Sequence, residues 1–289
     1  MGQRGGVSIG LQAGRLEGET AAWAARLGVD VAPGPPTGAV VVVDLPDVSE
    51  AAALAPPERL VVFDDRDAFA GEAALVVQPS MPAWHGPGRA GRVLAGFDYA
   101  PVARVFVNGR ADGARQGSTP PAVLVCFGGS DPALVTQRIA GVLAPARGWR
   151  TTTIVGADYA GSLDALPQDV VRDPADLPAR IARADLIVMG AGTMKFEVAC
   201  LGRPAILLAV ADDQLAAGPP FAATGAADYL GDGRTIDPDR VREAVSALVA
   251  DDARRADMGR IAAAAVDGRG AERLAGAILS LARHPAATS

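Results

Sequence analysis

Seven short apolar runs, most of them rich in β-branched residues, recur along the chain at residues 39–43, 59–63, 75–77, 122–127, 151–155, 186–189 and 205–210. Most are continuous rather than alternating, which is how strands covered on both faces read. Stretches with helical spacing lie between them, at residues 18–27, 133–143, 177–183, 194–201, 240–248 and 271–282. Strand and helix in alternation over this length predict an α/β fold with doubly wound, Rossmann-like parallel sheets. The last helical stretch carries Leu274, Ala277, Ile278 and Leu281 on one side, a stripe that must pack on something.

The segment ADGARQGSTPP (residues 111–121) has the Gly, Ser, Thr and paired Pro of a linker. It divides the 289 residues into two α/β domains, 1–112 and 119–289, with a cleft expected between them. At 49% hydrophobic the chain can bury a core, and with only 4% aromatics that core must be built from Ala, Val and Leu. Cys126 and Cys200 lie in apolar runs and read as small buried hydrophobes; two cysteines cannot form a disulfide framework. His85 and His284 are far apart, so no histidine metal cluster is expected, and no cofactor or metal is called for.

The net charge is −6 and no basic stripe is present, so a nucleic-acid partner is not expected. No run approaches the ~18 apolar residues of a membrane span, and the polar, glycine-rich start does not read as a leader. A cytoplasmic protein is the expectation, with a protein partner or a second copy of the chain left open. Of 27 basic residues all but one are arginine; the exception is Lys195.

Three segments can carry chemistry. In AVLVCFGGSDP (residues 122–132) a strand runs into Gly128, Gly129 and Ser130, then into a helix. Glycines let a backbone approach a ligand, Ser130 or Asp131 can cap the helix, and free first-turn N–H groups attract an anion. The same pattern also suits an ordinary capped turn. In DLIVMGAGTMKFEVACLG (residues 185–202) a second strand enters Gly190, Ala191, Gly192 and Thr193, with Lys195 and Glu197 in the helix that follows. This loop can cradle a phosphate, the single lysine Lys195 beside it is a candidate substrate-binding residue, and Glu197 is placed to accept hydrogen bonds from a sugar diol. The plainer readings are a helix-terminus charge for Glu197 and a solvated surface side chain for Lys195. In AILLAVADDQ (residues 205–214) Asp212, Asp213 and Gln214 follow a third strand, where they can hold hydroxyls or form a solvated turn.

Taken together, FGGSDP (127–132), ADLIVMGAGTMKFEVACLGRP (184–204) and LAVADDQ (208–214) resemble the nucleotide-binding domain of the GT-B architecture. The resemblance is to the bacterial UDP-sugar hydrolases of pseudaminic-acid biosynthesis and their spore-coat polysaccharide relatives, with the glycosyltransferase that makes lipid II as a more distant cousin. It extends loosely into residues 40–47, 61–66 and 96–106. It implies that Gly128, Gly129, Ser130, Gly190, Gly192 and Thr193 hold a nucleotide diphosphate. It also implies that Glu197 contacts ribose and that Asp213 and Gln214 face the sugar.

That family opens with a glycine-rich loop carrying a catalytic histidine. Residues 1–27 supply none, and residues 7–14 look like a second strand, so the first strand–helix unit is missing from the pattern. A base must still activate water or an acceptor hydroxyl. The candidates are Asp44, Asp64 and Asp65 at strand ends, which also suit turn capping, and His85 in PAWHGPG, which also suits plain surface. The expected function is cleavage or transfer of the glycosyl group of a UDP-sugar. The alternative is a degenerate relative that binds a nucleotide sugar, or a partner enzyme, without turnover.

Overall fold

The computed structural model describes residues 40–45, 47–110, 117–144, 148–167 and 169–283, and the backbone of β1 (Gly10–Leu11) and β2 (Asp30–Val31), which pair in parallel. The helix expected over residues 18–27, most of the linker and His284 lie outside the described residues.

The first larger sheet is parallel, in the order β3 (Val41–Asp44), β4 (Leu60–Phe63), β5 (Glu72–Gln78), β6 (Arg89–Ala95). Alternate residues go to opposite faces. Val41, Val43, Leu60, Val62 and Val76 build one apolar cluster, while Val61, Leu75, Val77 and Leu94 build another. The second cluster is closed from the far end of the chain. Helix α8 (Gly270–Arg283) lays Leu274, Ala277, Ile278 and Leu281 against it, so the stripe seen in the sequence covers the N-terminal sheet.

The second sheet is also parallel throughout. Its strands are β7 (Ala122–Cys126), β8 (Arg150–Val155), β9 (Val170–Arg172), β10 (Leu186–Gly190), β11 (Ala205–Ala209) and β12 (Ala227–Asp232), in the spatial order β12-β11-β10-β7-β8-β9. Chain order reverses direction between β7 and β10, which makes that junction the topological switch point where open α/β sheets take ligands. Both faces are covered. Val123, Val125, Leu186, Val188, Ile206 and Leu208 pack with Val135, Ile139 and Leu143 of α2 (Val135–Leu143) and with Val241, Val245 and Leu248 of α6 (Pro238–Ala250). Leu124, Cys126, Ile187, Met189 and Leu207 face the other way, toward Phe106 of α1 (Arg104–Gly109), Ile181 of α3 (Leu177–Arg183), Phe196 of α4 (Met194–Cys200), Phe221 of α5 (Asp212–Ala222) and Ala262 of α7 (Asp252–Ala265). Each fully buried aliphatic side chain contributes ~1.5–3 kcal/mol relative to exposure.

α5 begins where residues 212–214 also suited a solvated turn. Pro219 and Pro220 lie inside it, where each removes a backbone donor. Burial of Phe221 offsets that loss: its ring meets Phe97 at 5.2 Å and Phe196 at 6.0 Å.

Candidate functional site

β7, β10 and β11 are neighbours in register, with Cys126 opposite Met189 and Gly190 opposite Leu208. The three loops singled out in the sequence therefore leave the sheet side by side at the carboxyl ends of adjacent strands, and two of them flank the switch point.

In the first loop Gly128 has φ +93°, a conformation that favours glycine, and Gly128, Gly129 and Ser130 are all exposed. Support comes from a residue the sequence reading passed over. A β-carbon on Gly156, just after β8, would lie 2.3 Å from the Gly129 carbonyl oxygen, so only glycine lets the two backbones meet. The helix that follows corrects one expectation. Asp131, 3% exposed, accepts from the N–H groups of Val135 (3.0 Å) and Thr136 (2.7 Å). Those first-turn amides are taken by a carboxylate of the chain itself. The start of α2 is therefore not open to an anion.

In the second loop Thr193 stands at the N-cap of α4 and makes no side-chain cap hydrogen bond. Lys195 is not a solvated surface residue; it is 2% exposed. Its Nζ donates to the carbonyls of Ala191 (3.0 Å) and Gly192 (3.3 Å) and lies 4.3 Å from the centroid of the Phe196 ring. Burial pulls the ammonium down to about 8, with Asp65 and Asp213 acting in the opposite direction. Glu197 is half-buried, and its carboxylate has no hydrogen-bond or ion-pair partner among the described residues. Burial pushes it up to about 7.

The third segment is the first turn of α5, not a free turn. Gln214 Oε1 accepts from the Val210 N–H at 3.1 Å. Asp213 lies 3.9 Å from the guanidinium of Arg66, which follows β4 of the other sheet.

A cleft with about 280 Å³ of empty space, part of it open solvent, joins the two halves. Asp65 and Ser80 line it from the N-terminal sheet; Ala191, Gly192, Thr193, Lys195, Asp213, Gln214 and Ala217 line it from the C-terminal one. Asp65 Oδ1 is enclosed and has no hydrogen-bond partner among the described residues. Burial raises the Asp65 carboxyl, with Ser80 and Lys195 lowering it and Asp44 and Asp213 raising it further.

Of the residues singled out in the sequence, the cleft thus gathers Asp65, Gly192, Thr193, Lys195, Asp213 and Gln214. Gly190 is the buried last residue of β10. Asp44 is exposed at the end of β3, close enough to Asp65 to act on it electrostatically. Asp64 belongs to the scaffold: its carboxylate accepts from the Ala68 and Phe69 N–H groups, both at 2.9 Å, and from Trp84 Nε1 at 2.8 Å. His85 is exposed on the next loop, tied there by its N–H to Asp67 Oδ1 (3.1 Å), and does not line the cleft. Ser80 and Arg66 were missed in the sequence; each follows a parallel strand directly, and that position was the available signal.

Two parallel-sheet α/β domains meeting at a cleft define the GT-B architecture, and solved structures match it. MurG of Acinetobacter baumannii superposes with a TM-score of 0.58 at 17% identity, covering 90% of this chain and 76% of that one. A kitacinnamycin glycotransferase gives 0.53 at 18%, covering 91% and 89%. The spinosyn rhamnosyltransferase SpnG, complexed with thymidine diphosphate, gives 0.55 at 15%, covering 75% and 66%.

In sequence, the chain is similar to two UDP-N-acetylglucosamine–N-acetylmuramyl-(pentapeptide) pyrophosphoryl-undecaprenol N-acetylglucosamine transferases. That of Nitrobacter hamburgensis is 42% identical over 117 residues, 38% of this chain and 30% of the relative. That of Rhodopseudomonas palustris is 43% identical over 106 residues, 34% and 26%. The match spans less than a third of the relatives' own length. No family model matches the chain. These relatives are transferases, and the expected place among the UDP-sugar hydrolases finds no support in them.

Proposed function

We propose that the chain transfers a glycosyl group from a nucleotide sugar, a UDP-sugar in the first instance, to an acceptor hydroxyl in the interdomain cleft. One observation carries the reading: the glycine-rich loop after β10 and the start of α5 share a cleft with a carboxylate from the opposite domain. Glycosyl transfer needs that arrangement, a donor held on one side and a base on the other. The sequence relatives, named as UDP-N-acetylglucosamine-dependent transferases, support the choice of donor.

In this reading the amides of Gly128, Gly129 and Ser130, and those of Gly192 with the Thr193 hydroxyl, receive the diphosphate. Glu197 takes the ribose diol, and Asp213 and Gln214 face the sugar. The acceptor oxygen forms a bond to the anomeric carbon as the bond from that carbon to the phosphate oxygen breaks. Asp65 takes the hydroxyl proton, and the nucleoside diphosphate leaves with the electron pair. Asp44 adds negative charge beside Asp65.

The test is a panel of UDP- and dTDP-sugars with release of the nucleoside diphosphate as readout, alongside thermal denaturation with each diphosphate. A ligand at a hundredfold excess over its Kd stabilises by ~2.7 kcal/mol. The reading expects UDP to raise the melting temperature, Glu197→Ala to abolish the rise, and at least one UDP-sugar to turn over with an acceptor. Binding without turnover would leave a nucleotide-sugar-binding protein; no binding would end the proposal.

A further inference from the structure

Lys195 is out of keeping with the rest of the chain. The other 26 basic residues are arginines, which keep their charge at any working pH. The single lysine is almost fully enclosed on a helix whose other inward-facing residues are Phe196, Val198, Ala199 and Cys200. Packing alone would be served better by an apolar side chain, because enclosing an ammonium costs several kcal/mol before its partners offset it. Two of its three donors go to Ala191 and Gly192, which fixes Nζ against the loop. Lys195 also lines the cleft, and Asp65 lines it from the opposite domain, with an enclosed Oδ1 that has no hydrogen-bond partner among the described residues. The other groups acting on this pair are Ser80 after β5, Asp44 at the end of β3 and Asp213 on α5, and Arg66 in turn pairs with Asp213. Asp44 and Asp213 both work against an ionised Asp65. Lys195 is the cation working for it.

We infer that Lys195 is a positioning residue: fixed by two loop carbonyls of one domain, it faces Asp65 of the other across the cleft and holds that carboxylate ionised and oriented to accept a proton. A lysine suits this better than an arginine, since it presents a compact point charge rather than a planar fork of five donors. The two side chains act on each other across the domain interface, so their interaction is made and lost with the cleft itself. The inference rests on the reading of Asp65 as the base, and its test separates the two.

A single lysine makes the test direct. Incorporating [ε-13C]lysine into the full chain gives one side-chain resonance, whose titration reports Lys195 without any activity assay. The expected midpoint is about 8. Asp65→Asn moves it lower, because a favourable counter-charge is gone, and Asp213→Asn moves it less. In steady-state kinetics Lys195→Gln lowers kcat by about tenfold, within the range of base catalysis, and moves the acid limb of the pH profile to higher pH. It leaves the UDP dissociation constant within twofold, and Lys195→Arg recovers part of the lost rate. A resonance indifferent to Asp65→Asn overturns the inference. So does a Lys195→Gln enzyme that binds UDP more weakly with an unmoved acid limb, which would make Lys195 a phosphate ligand. Full activity in Asp65→Asn instead sinks the base reading beneath it. If Lys195→Gln does not fold, the resonance in Asp65→Asn still decides.

Discussion

Cys126 on β7 and Met189 on β10 stand opposite each other in parallel register, and their strands deliver Ser130 and Thr193 to the same end of the sheet. If the two loops hold one diphosphate, the two hydroxyls are not independent. Ser130→Ala and Thr193→Ala should each weaken UDP binding by about 3–10-fold, the effect of a hydrogen bond worth roughly 0.5–1.5 kcal/mol. In the double variant the losses should fail to add, with a coupling of at least about 0.5 kcal/mol. Calorimetric titration of the four proteins measures the cycle, and strict additivity would argue against a shared ligand group.

Glu197 predicts a pH dependence of binding. Its carboxyl, pushed up to about 7 by burial, is largely protonated at pH 6. The ionised form accepts from a diol with both oxygens; the protonated form does not. UDP affinity should rise as pH increases through about 7, and Glu197→Gln should flatten that part of the rise. The terminal phosphate of UDP titrates in both proteins, so the difference between them isolates Glu197. The same shift affects folding. Between the ordinary glutamate value of 4.5 and about 7 the folded chain keeps a proton that the unfolded chain has lost, so Glu197 makes stability fall as pH rises through that window.

Much of this was legible in the sequence because continuous apolar runs identify strands buried on both faces. The runs at 122–127, 186–189 and 205–210 correspond to β7, β10 and β11, and the loops after them carry the residues in and around the cleft. β6 was not legible, because its polar and glycine residues, RAGRVLA, lack an apolar run. β12 carries Asp228, Gly231 and Asp232, and α5 hides behind two prolines. The buried state of Lys195 was illegible for a different reason. Charge predicts exposure, and only the tertiary arrangement brings two carbonyls and an opposing carboxylate to it. At the start of α2 the motif offered both a capping Asp131 and amides open to an anion, and the structure takes the first: Asp131 turns back onto those amides.

The return of α8 to the N-terminal sheet makes the stability of the first half depend on the last residues of the chain. Leu274, 4% exposed, is the deepest member of the stripe over Val61, Leu75, Val77 and Leu94. Leu274→Ala should destabilise by about 2–5 kcal/mol. Hydrogen exchange should show the loss of protection in β4 and β5 first, while β7, β10 and β11 keep theirs. Uniform loss across both sheets would mean that the helix does not stabilise the first sheet selectively.

Among the candidate bases, Asp65 and His85 give opposite expectations. Asp65→Asn keeps size and polarity but cannot take a proton, and should lower kcat by about 100-fold or more, within the usual range for a base. Its UDP affinity should stay close to that of the parent protein. His85→Ala, changing an exposed loop residue, should leave kcat within twofold. Steady-state kinetics on the two variants with one active UDP-sugar decides. The reverse pattern would move the chemistry out of the cleft and onto the loop.

Lys195 also leaves a mark on stability that needs no substrate. Its folded value of about 8 lies below the ordinary lysine value of 10.5, so between those limits the unfolded chain holds a proton the folded chain has released. Where the unfolded state binds more protons, stability rises with pH. The unfolding free energy of the parent protein should therefore climb, relative to Lys195→Met, from about pH 8 to about pH 10.5. Below pH 8 both states carry the charge and the difference should be flat. Paired urea titrations at pH 7, 8, 9 and 10 measure it, and the comparison cancels the titration of groups on which Lys195 does not act. A difference that stays level across that range would mean that the ammonium is as well solvated in the fold as in the unfolded chain, contrary to its enclosure by the loop.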